Sequence, residues 1–405
     1  MSVNLKWMPE IDRGQVDQVL AHIKEDEVIG LLSDLIRLQS INPPGDVSGG
    51  AQLCRALLDD VGFDTQIVGP SNEQCSLIAK LPGHSGGPRL LLNAHLDVVP
   101  IGEHSSWRYP PFGAQRRDGR IYGRGAADDK ASVAAQVMAG VALARSGVPL
   151  TGTLIITEVA DEETGGDLGS GFLVDNELVQ AEHVIVGEPT NGVLCIGERG
   201  RVVVELTVIG STGHSAAPLT GVNAIEIMGK VINTLSMELW PQITNRDHPI
   251  LSPSTATISF VTGGIKSNVI PDRCTIQIDR RIVELESVDA TVAEIRETAE
   301  RAVKGIRGVA IEAKKLIGRS ARIINAESPV VQAAQLASRW LGHEPSLGGF
   351  FAGSDAKHFA RQNCSTLIVG PGDPDTAHTP DEWVGVEDVL NATRLYALTA
   401  LRLVT

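Results

Sequence analysis

The chain lacks paired cysteines, any excess of basic residues and any long apolar run. Its 405 residues include five cysteines, Cys54, Cys75, Cys195, Cys274 and Cys364, scattered and without a Cys-x-x-Cys pair. They build neither a disulfide framework nor a cysteine metal cage, which favours a reducing, cytoplasmic compartment. Basic residues number 35 against 49 acidic ones, a formal net charge of -14. Such a surface repels phosphate backbones, and no basic run offsets it, so the expected partner is a small molecule rather than a nucleic acid. No apolar stretch approaches the ~20 residues needed to cross a bilayer. Met1–Leu20 is polar and acidic, without the apolar centre of a signal peptide. The expectation is a soluble, cytoplasmic protein with no membrane partner.

What remains is globular: 42% hydrophobic and 21% charged residues, in a chain longer than one core usually supports. From Leu31 to Gln39 the apolar spacing is helical, and Asn42-Pro43-Pro44-Gly45 stops it. Short runs rich in Val, Ile and Leu follow, at Leu90–Val99, Leu154–Val159, Val184–Val186 and Leu367–Val369. They alternate with amphipathic stretches such as Ser132–Arg145, Gln332–Leu341 and Glu387–Leu403. This alternation predicts an α/β domain whose largely parallel sheet is flanked by helices. The middle reads differently: strands at Arg201–Ile209, Thr255–Val261, Arg273–Ile278 and Val309–Lys315, with helices at Val222–Leu235 and Val288–Val303. That β-α-β-β-α-β order predicts a ferredoxin-like α+β domain. The expected division is a catalytic domain of residues 1–199 and 319–405 with an inserted domain of residues 200–318.

Several polar groups fall at or just after these strands. His95 and Asp97 share one side of an extended segment, the pairing in which a carboxylate orients a metal-bound imidazole. Alone, such a pair reads as a hydrogen-bonded surface feature. Asp128 and Asp129 precede a helix and could simply cap it. Asp161-Glu162-Glu163 could be a solvated turn. Together with Glu188 and His378, however, His95, Asp128 and Glu163 gather near the carboxyl ends of strands, where open α/β sheets place their ligand crevice. Imidazole and carboxylate ligands suit zinc or a similar ion, and five of them suit two ions sharing one carboxylate, an open catalytic site. The residues themselves choose neither between Glu162 and Glu163 nor between Asp128 and Asp129.

The motifs Asn93-Ala94-His95-Leu96-Asp97-Val98-Val99-Pro100, Gly123-Arg124-Gly125-Ala126-Ala127-Asp128-Asp129-Lys130, Asp161-Glu162-Glu163-Thr164-Gly165-Gly166, Val186-Gly187-Glu188-Pro189-Thr190, Gly213-His214-Ser215-Ala216, Ser267-Asn268-Val269-Ile270-Pro271 and Ala377-His378-Thr379-Pro380-Asp381-Glu382 occur in that order across nearly the whole chain. In this the sequence resembles the acetylornithine deacetylase and succinyl-diaminopimelate desuccinylase family of two-zinc hydrolases, with its aminoacylase and carboxypeptidase relatives. The resemblance implies two Zn2+ (Co2+ may substitute), with His95 and Glu188 on one ion, Glu163 and His378 on the other, and Asp128 between them. It implies that Asp97 supports His95, and that Glu162 is the general acid and base for a hydroxide shared by the ions. It implies further that His214 stabilises the oxyanion, often from the neighbouring subunit of a homodimer built through the inserted domain. By the same resemblance Arg281 is expected to pair with a substrate carboxylate, Asn268 to add a polar contact, and Gly353 and Ser354 to lie on a substrate-contacting loop. Asp129 replaces an apolar residue common at its position, and the proline frequent after Arg281 is absent from Val283-Glu284-Leu285.

The expected activity is hydrolysis of the amide of a small N-acyl amino acid. A metallo-dipeptidase or carboxypeptidase of the same family is the alternative, and an inactive binding protein a remoter one, since no ligand position and not Glu162 is replaced. Gly83-His84-Ser85-Gly86-Gly87 matches the G-x-S-x-G elbow of serine hydrolases, but the elbow needs a strand before it and a helix after it, whereas Leu81-Pro82 precedes and Gly87-Pro88 and then a strand follow.

Overall fold

Strands with Val, Ile or Leu at nearly every position can lie only where both faces are covered, and four such strands run side by side through the main body of the chain. The computed structural model describes residues 12–405, so the reading of Met1–Leu20 lies outside the described residues for positions 1–11. The main sheet has nine strands, six of which are β1 (Asp64–Val68), β2 (Ser76–Leu81), β3 (Arg89–His95), β4 (Thr153–Val159), β5 (His183–Val186) and β6 (Ser365–Ile368). Their spatial order is β1-β2-β4-β3-β5-β6. β4, β3, β5 and β6 are mutually parallel, whereas β1 and β2 form an antiparallel hairpin whose second strand pairs with β4. The fold is mixed α/β with a mostly parallel centre, as the alternation predicts; the hairpin edge is an addition. β1 is half exposed, so no apolar run marks it.

Leu90, Leu91 and Leu92 of β3 and Leu154 and Ile156 of β4 are fully buried, each worth about 1.5–3 kcal/mol of hydrophobic stabilisation. The helix Lys130–Ser146 is buried at almost every position. It lies against β3 and β4 and against the helices Glu25–Arg37 and Val386–Val404, which explains an apolar surface on all its sides. Gly147 ends it in the left-handed conformation at φ +67°, the usual helix stop. No helix of the described residues is long and apolar enough to cross a membrane.

The chain divides into two compact units. Among the described residues the first holds the six strands β1 to β6 and comprises residues 12–196, 324–348 and 354–405; the second comprises Gly197–Ile323 and Gly349–Gly353. In the second, Thr255–Gly263, Arg273–Ile282, Gly200–Ile209 and Ala310–Arg319 form an antiparallel sheet in that order. Arg273–Ile282 alternates strictly between buried positions and half-buried or exposed ones, so one face is core and the other open. Cys274, Ile276 and Ile278 on the covered face join Val202, Val204 and Leu206 and the helix residues Val231 and Ile295 in one apolar cluster. Arg281 stands on the open face. Gly353 and Ser354, adjacent in sequence, fall in different units.

Candidate metal centre

Each parallel strand of the main sheet delivers polar groups at its carboxyl end. His95 is the last residue of β3. β4 runs into the short turn Glu162–Thr164. Glu188 follows β5 by two residues, and His378 lies on the loop after β6. Asp128 sits in the turn just before the helix Lys130–Ser146.

These groups meet. The Asp128 Oδ1 stands 3.0 Å from His95 Nε2 and its Oδ2 3.2 Å from His378 Nε2, so one carboxylate faces both imidazoles, an oxygen to each. His378 Nε2 is also 3.2 Å from Glu163. Donor atoms of His95, Asp128 and Glu163 lie within 4.8 Å of one another, and so do those of His95, Glu162 and Glu188. The cluster therefore has two lobes that share His95. Glu188 is buried, and its Oε1 has no hydrogen-bond partner, a costly state unless something else compensates it. His378, half exposed, forms the rim, with backbone in the left-handed region at φ +62°. That conformation is unfavourable for a residue with a side chain and is held here by its surroundings.

The charges are unbalanced. Asp97, Asp128, Asp129, Glu162, Glu163 and Glu188 place six carboxylates around two imidazoles and the ammonium of Lys357. Burial pushes the Glu162 carboxyl up to about 8, with Lys357 opposing the rise. Burial, with Glu162 and Asp128 as charged neighbours, raises Glu188 well above the usual carboxylate range. Asp128 and Asp97 go the other way: burial would raise both, but the hydrogen bonds of Asp128 with His378 and His95, and of Asp97 with His95 and Asn42, outweigh that and hold them low. A pocket that concentrates acid in this way, with one buried oxygen unpartnered, fits a cation bound among imidazole and carboxylate donors.

Surrounding residues explain the precision. Asp97, fully buried, accepts the backbone N–H of Glu162 at Oδ1 and that of Glu163 at Oδ2, both at 3.2 Å, and the Asn42 amide at 2.8 Å. The nearest neighbour of His95 Nδ1 is the Asp97 backbone carbonyl at 2.9 Å, with the carboxylate at 3.5 Å. Asp97 thus meets His95 through its main chain and more distantly through its carboxylate, which also holds the turn opposite. Asp129 is also buried, its Oδ2 lying 3.4 Å from His95 N; burial pushes its carboxyl up to about 8. Glu382 accepts the N–H groups of Ala127 (2.8 Å) and Asp128 (3.1 Å) and forms a buried ion pair with Arg124.

Asn42, Arg124, Glu382 and Lys357 carry no role in the sequence reading. Arg124 and Glu382 sit inside quoted motifs, which was the available signal; Asn42 and Lys357 are joined to the site only by folding. Ser354 is buried and its hydroxyl accepts the Ala356 N–H at 3.2 Å. In the second unit, His214 is exposed with Nδ1 accepting from Ala216 N at 3.1 Å, the Asn268 carbonyl accepts from Ser215 N, and Arg281 Nε donates to Asp279 at 3.0 Å. Ser85 of the G-x-S-x-G match lies exposed on the loop between β2 and β3, with no nucleophile elbow around it.

A model of Peptidase family M20/M25/M40 matches residues 91–402. The succinyl-diaminopimelate desuccinylase of Ruegeria pomeroyi is 34% identical over 381 residues, covering 90% of this chain and 96% of that protein. An aminopeptidase structure from Bacillus cereus aligns with a TM-score of 0.75 at 24% identity, over 93% of this chain and 98% of its own. A dinuclear metal binding peptidase of the M20 family from Bacillus subtilis aligns with a TM-score of 0.72 at 19% identity, over 94% and 98%. At such identities the two structures speak to the fold. Fold, cluster and relatives define a metal-dependent hydrolase of the deacylase and peptidase class. The chain belongs to the M20/M25/M40 peptidase family.

Proposed function

We propose that this chain is a zinc-dependent deacylase that cleaves the amide bond of a small N-acyl amino acid, an N-succinyl amino acid being the first candidate. The observation that carries the reading is the placement of Asp128, one oxygen toward His95 and the other toward His378, with Glu163 and the unpartnered Glu188 alongside. His95 and Glu188 would hold one ion, Glu163 and His378 the other, and Asp128 both. Two zinc ions there would acidify a shared water toward a pKa of ~7 and polarise the scissile carbonyl.

Glu162, beside His95 and Glu188, takes the proton of the attacking water and returns it to the departing amine. Asp97 keeps Glu162 and Glu163 in place through their backbone N–H groups. Relatives at 31–34% identity that are named succinyl-diaminopimelate desuccinylases favour a deacylase over a dipeptidase. By resemblance we assign oxyanion stabilisation to His214, acting across a homodimer made by the second unit. Recognition of the substrate carboxylate and polar ends falls on the same ground to Arg281, Asn268, Gly353 and Ser354.

The test is hydrolysis of a panel of N-succinyl, N-acetyl and N-formyl amino acids and dipeptides. Chelator-stripped protein would be restored with zinc or cobalt, beside Glu162→Gln. Cleavage of one acyl class, lost on stripping and reduced at least ~100-fold in Glu162→Gln, supports the reading. Cleavage of dipeptides alone makes the protein a dipeptidase. Activity that survives complete metal removal overturns the mechanism.

A further inference from the structure

Glu162 has two oxygens and, on the reading above, one task. Among the described residues Lys357 is its ion-pair partner, with Nζ 3.3 Å from Oε1. Both side chains are largely shielded, 15% and 12% exposed, so the pair is screened far less than a surface ion pair. Lys357 is itself guided. Its Nζ is 3.8 Å from Asp355 Oδ1, and Asp355 is buried, its Oδ2 accepting the Ser170 hydroxyl at 2.7 Å. The backbone makes room for this arrangement. Gly166 lies at φ +74°, and a Cβ there would stand 2.2 Å from Asp355 Oδ1. Hence Gly166 leaves the space that Asp355 fills, and a row of contacts runs from Ser170 through Asp355 and Lys357 to Glu162.

We propose that Lys357 is a positioning residue for the hydrolysis: it anchors one oxygen of Glu162, leaving the other to meet the attacking water, and Asp355 with Ser170 holds Lys357 in place. The proposal rests on Glu162 being the general acid and base. An unanchored glutamate at the end of a flexible stem would visit several rotamers and be aligned for proton transfer only part of the time. The ammonium also offsets one of the six carboxylates in the pocket.

The experiment compares Lys357→Met and Lys357→Arg in the metal-loaded protein, in wild-type and Glu162→Gln backgrounds. Lys357→Met is expected to keep two bound metals per chain and to lose about 10–100-fold in kcat with little change in KM. Lys357→Arg, which can still reach the carboxylate, recovers most of that loss. Independently of activity, Lys357→Met lowers Tm more in the wild-type background than in Glu162→Gln, because the pair is already broken in the latter. An unchanged kcat, or a raised KM with kcat intact, overturns the proposal, the second making Lys357 a substrate contact. Equal Tm losses in the two backgrounds overturn it as well. If wild-type protein cleaves no amide and the Tm losses still differ, the hydrolase reading fails while the pairing of Lys357 with Glu162 stands.

Discussion

Asp97 Oδ2 accepts the backbone N–H of Glu163 at 3.2 Å, and its Oδ1 does the same for Glu162. Asp97 follows β3 and the two glutamates follow β4, so a single buried carboxylate ties the ends of neighbouring strands and fixes Glu162 and Glu163 through their main chain. Charge-assisted bonds of this kind are roughly twice as strong as neutral ones.

Asp97→Asn tests that tie. An amide keeps one acceptor oxygen and turns the other position into a donor facing an N–H. The expected result is a loss of about 10–100-fold in metal affinity with a parallel loss of kcat. Metal titration and steady-state kinetics check it, and wild-type metal affinity would show that the turn holds without Asp97.

Glu382→Ala removes the acceptor for Ala127 N and Asp128 N and leaves Arg124 buried without its partner. Breaking a buried ion pair costs about 3–5 kcal/mol. The expected outcome is a lower midpoint in urea unfolding, with metal affinity falling too because Asp128 loses its backbone anchor. A stability change below 1 kcal/mol, by the same reasoning, would mean the pair is not shielded from water.

Gly166→Ala forces a methyl group against Asp355 in a backbone conformation that alanine disfavours. A loss of about 1–3 kcal/mol is expected from overpacking alone. Thermal unfolding measures the stability. The Gly166→Ala, Asp355→Ala pair should recover part of it by vacating the space.

The second unit supplies a pH test. Glu286 joins Arg280, Arg246, Ser254 and the Val283 N–H, and these contacts outweigh the effect of burial and hold its carboxyl below the usual range. A folded-state pKa lowered in this way contributes stability that is present above the ordinary carboxylate pKa of ~4.3 and lost as pH falls through it. Glu286→Gln should therefore lower stability at pH 7 and weaken its dependence on pH below ~5. Urea unfolding at a series of pH values reads both; an unchanged acid slope would remove Glu286 from the account.

The sequence by itself determined the strands and helices that carry the chemistry. Continuous apolar runs at β3, β4, β5 and β6 declare strands buried on both faces, and the order of strand-like and helix-like runs sets the middle of the chain apart. It also determined which imidazoles and carboxylates are candidates for the site, because they recur at strand ends inside ordered motifs. Which of two adjacent carboxylates does which task was not legible in spacing alone. Asp128 and Asp129, or Glu162 and Glu163, differ by one residue in the chain and by their direction in space. Only the tertiary structure turned Asp128 toward both imidazoles and buried Asp129 behind His95. Only it joined Asn42 to Asp97, Arg124 to Glu382 and Lys357 to Glu162, partners as far apart as 258 positions in sequence. Local periodicity records whether a residue is covered. Charge pairing across a sheet depends on which strands become neighbours, and that is set by packing the whole core.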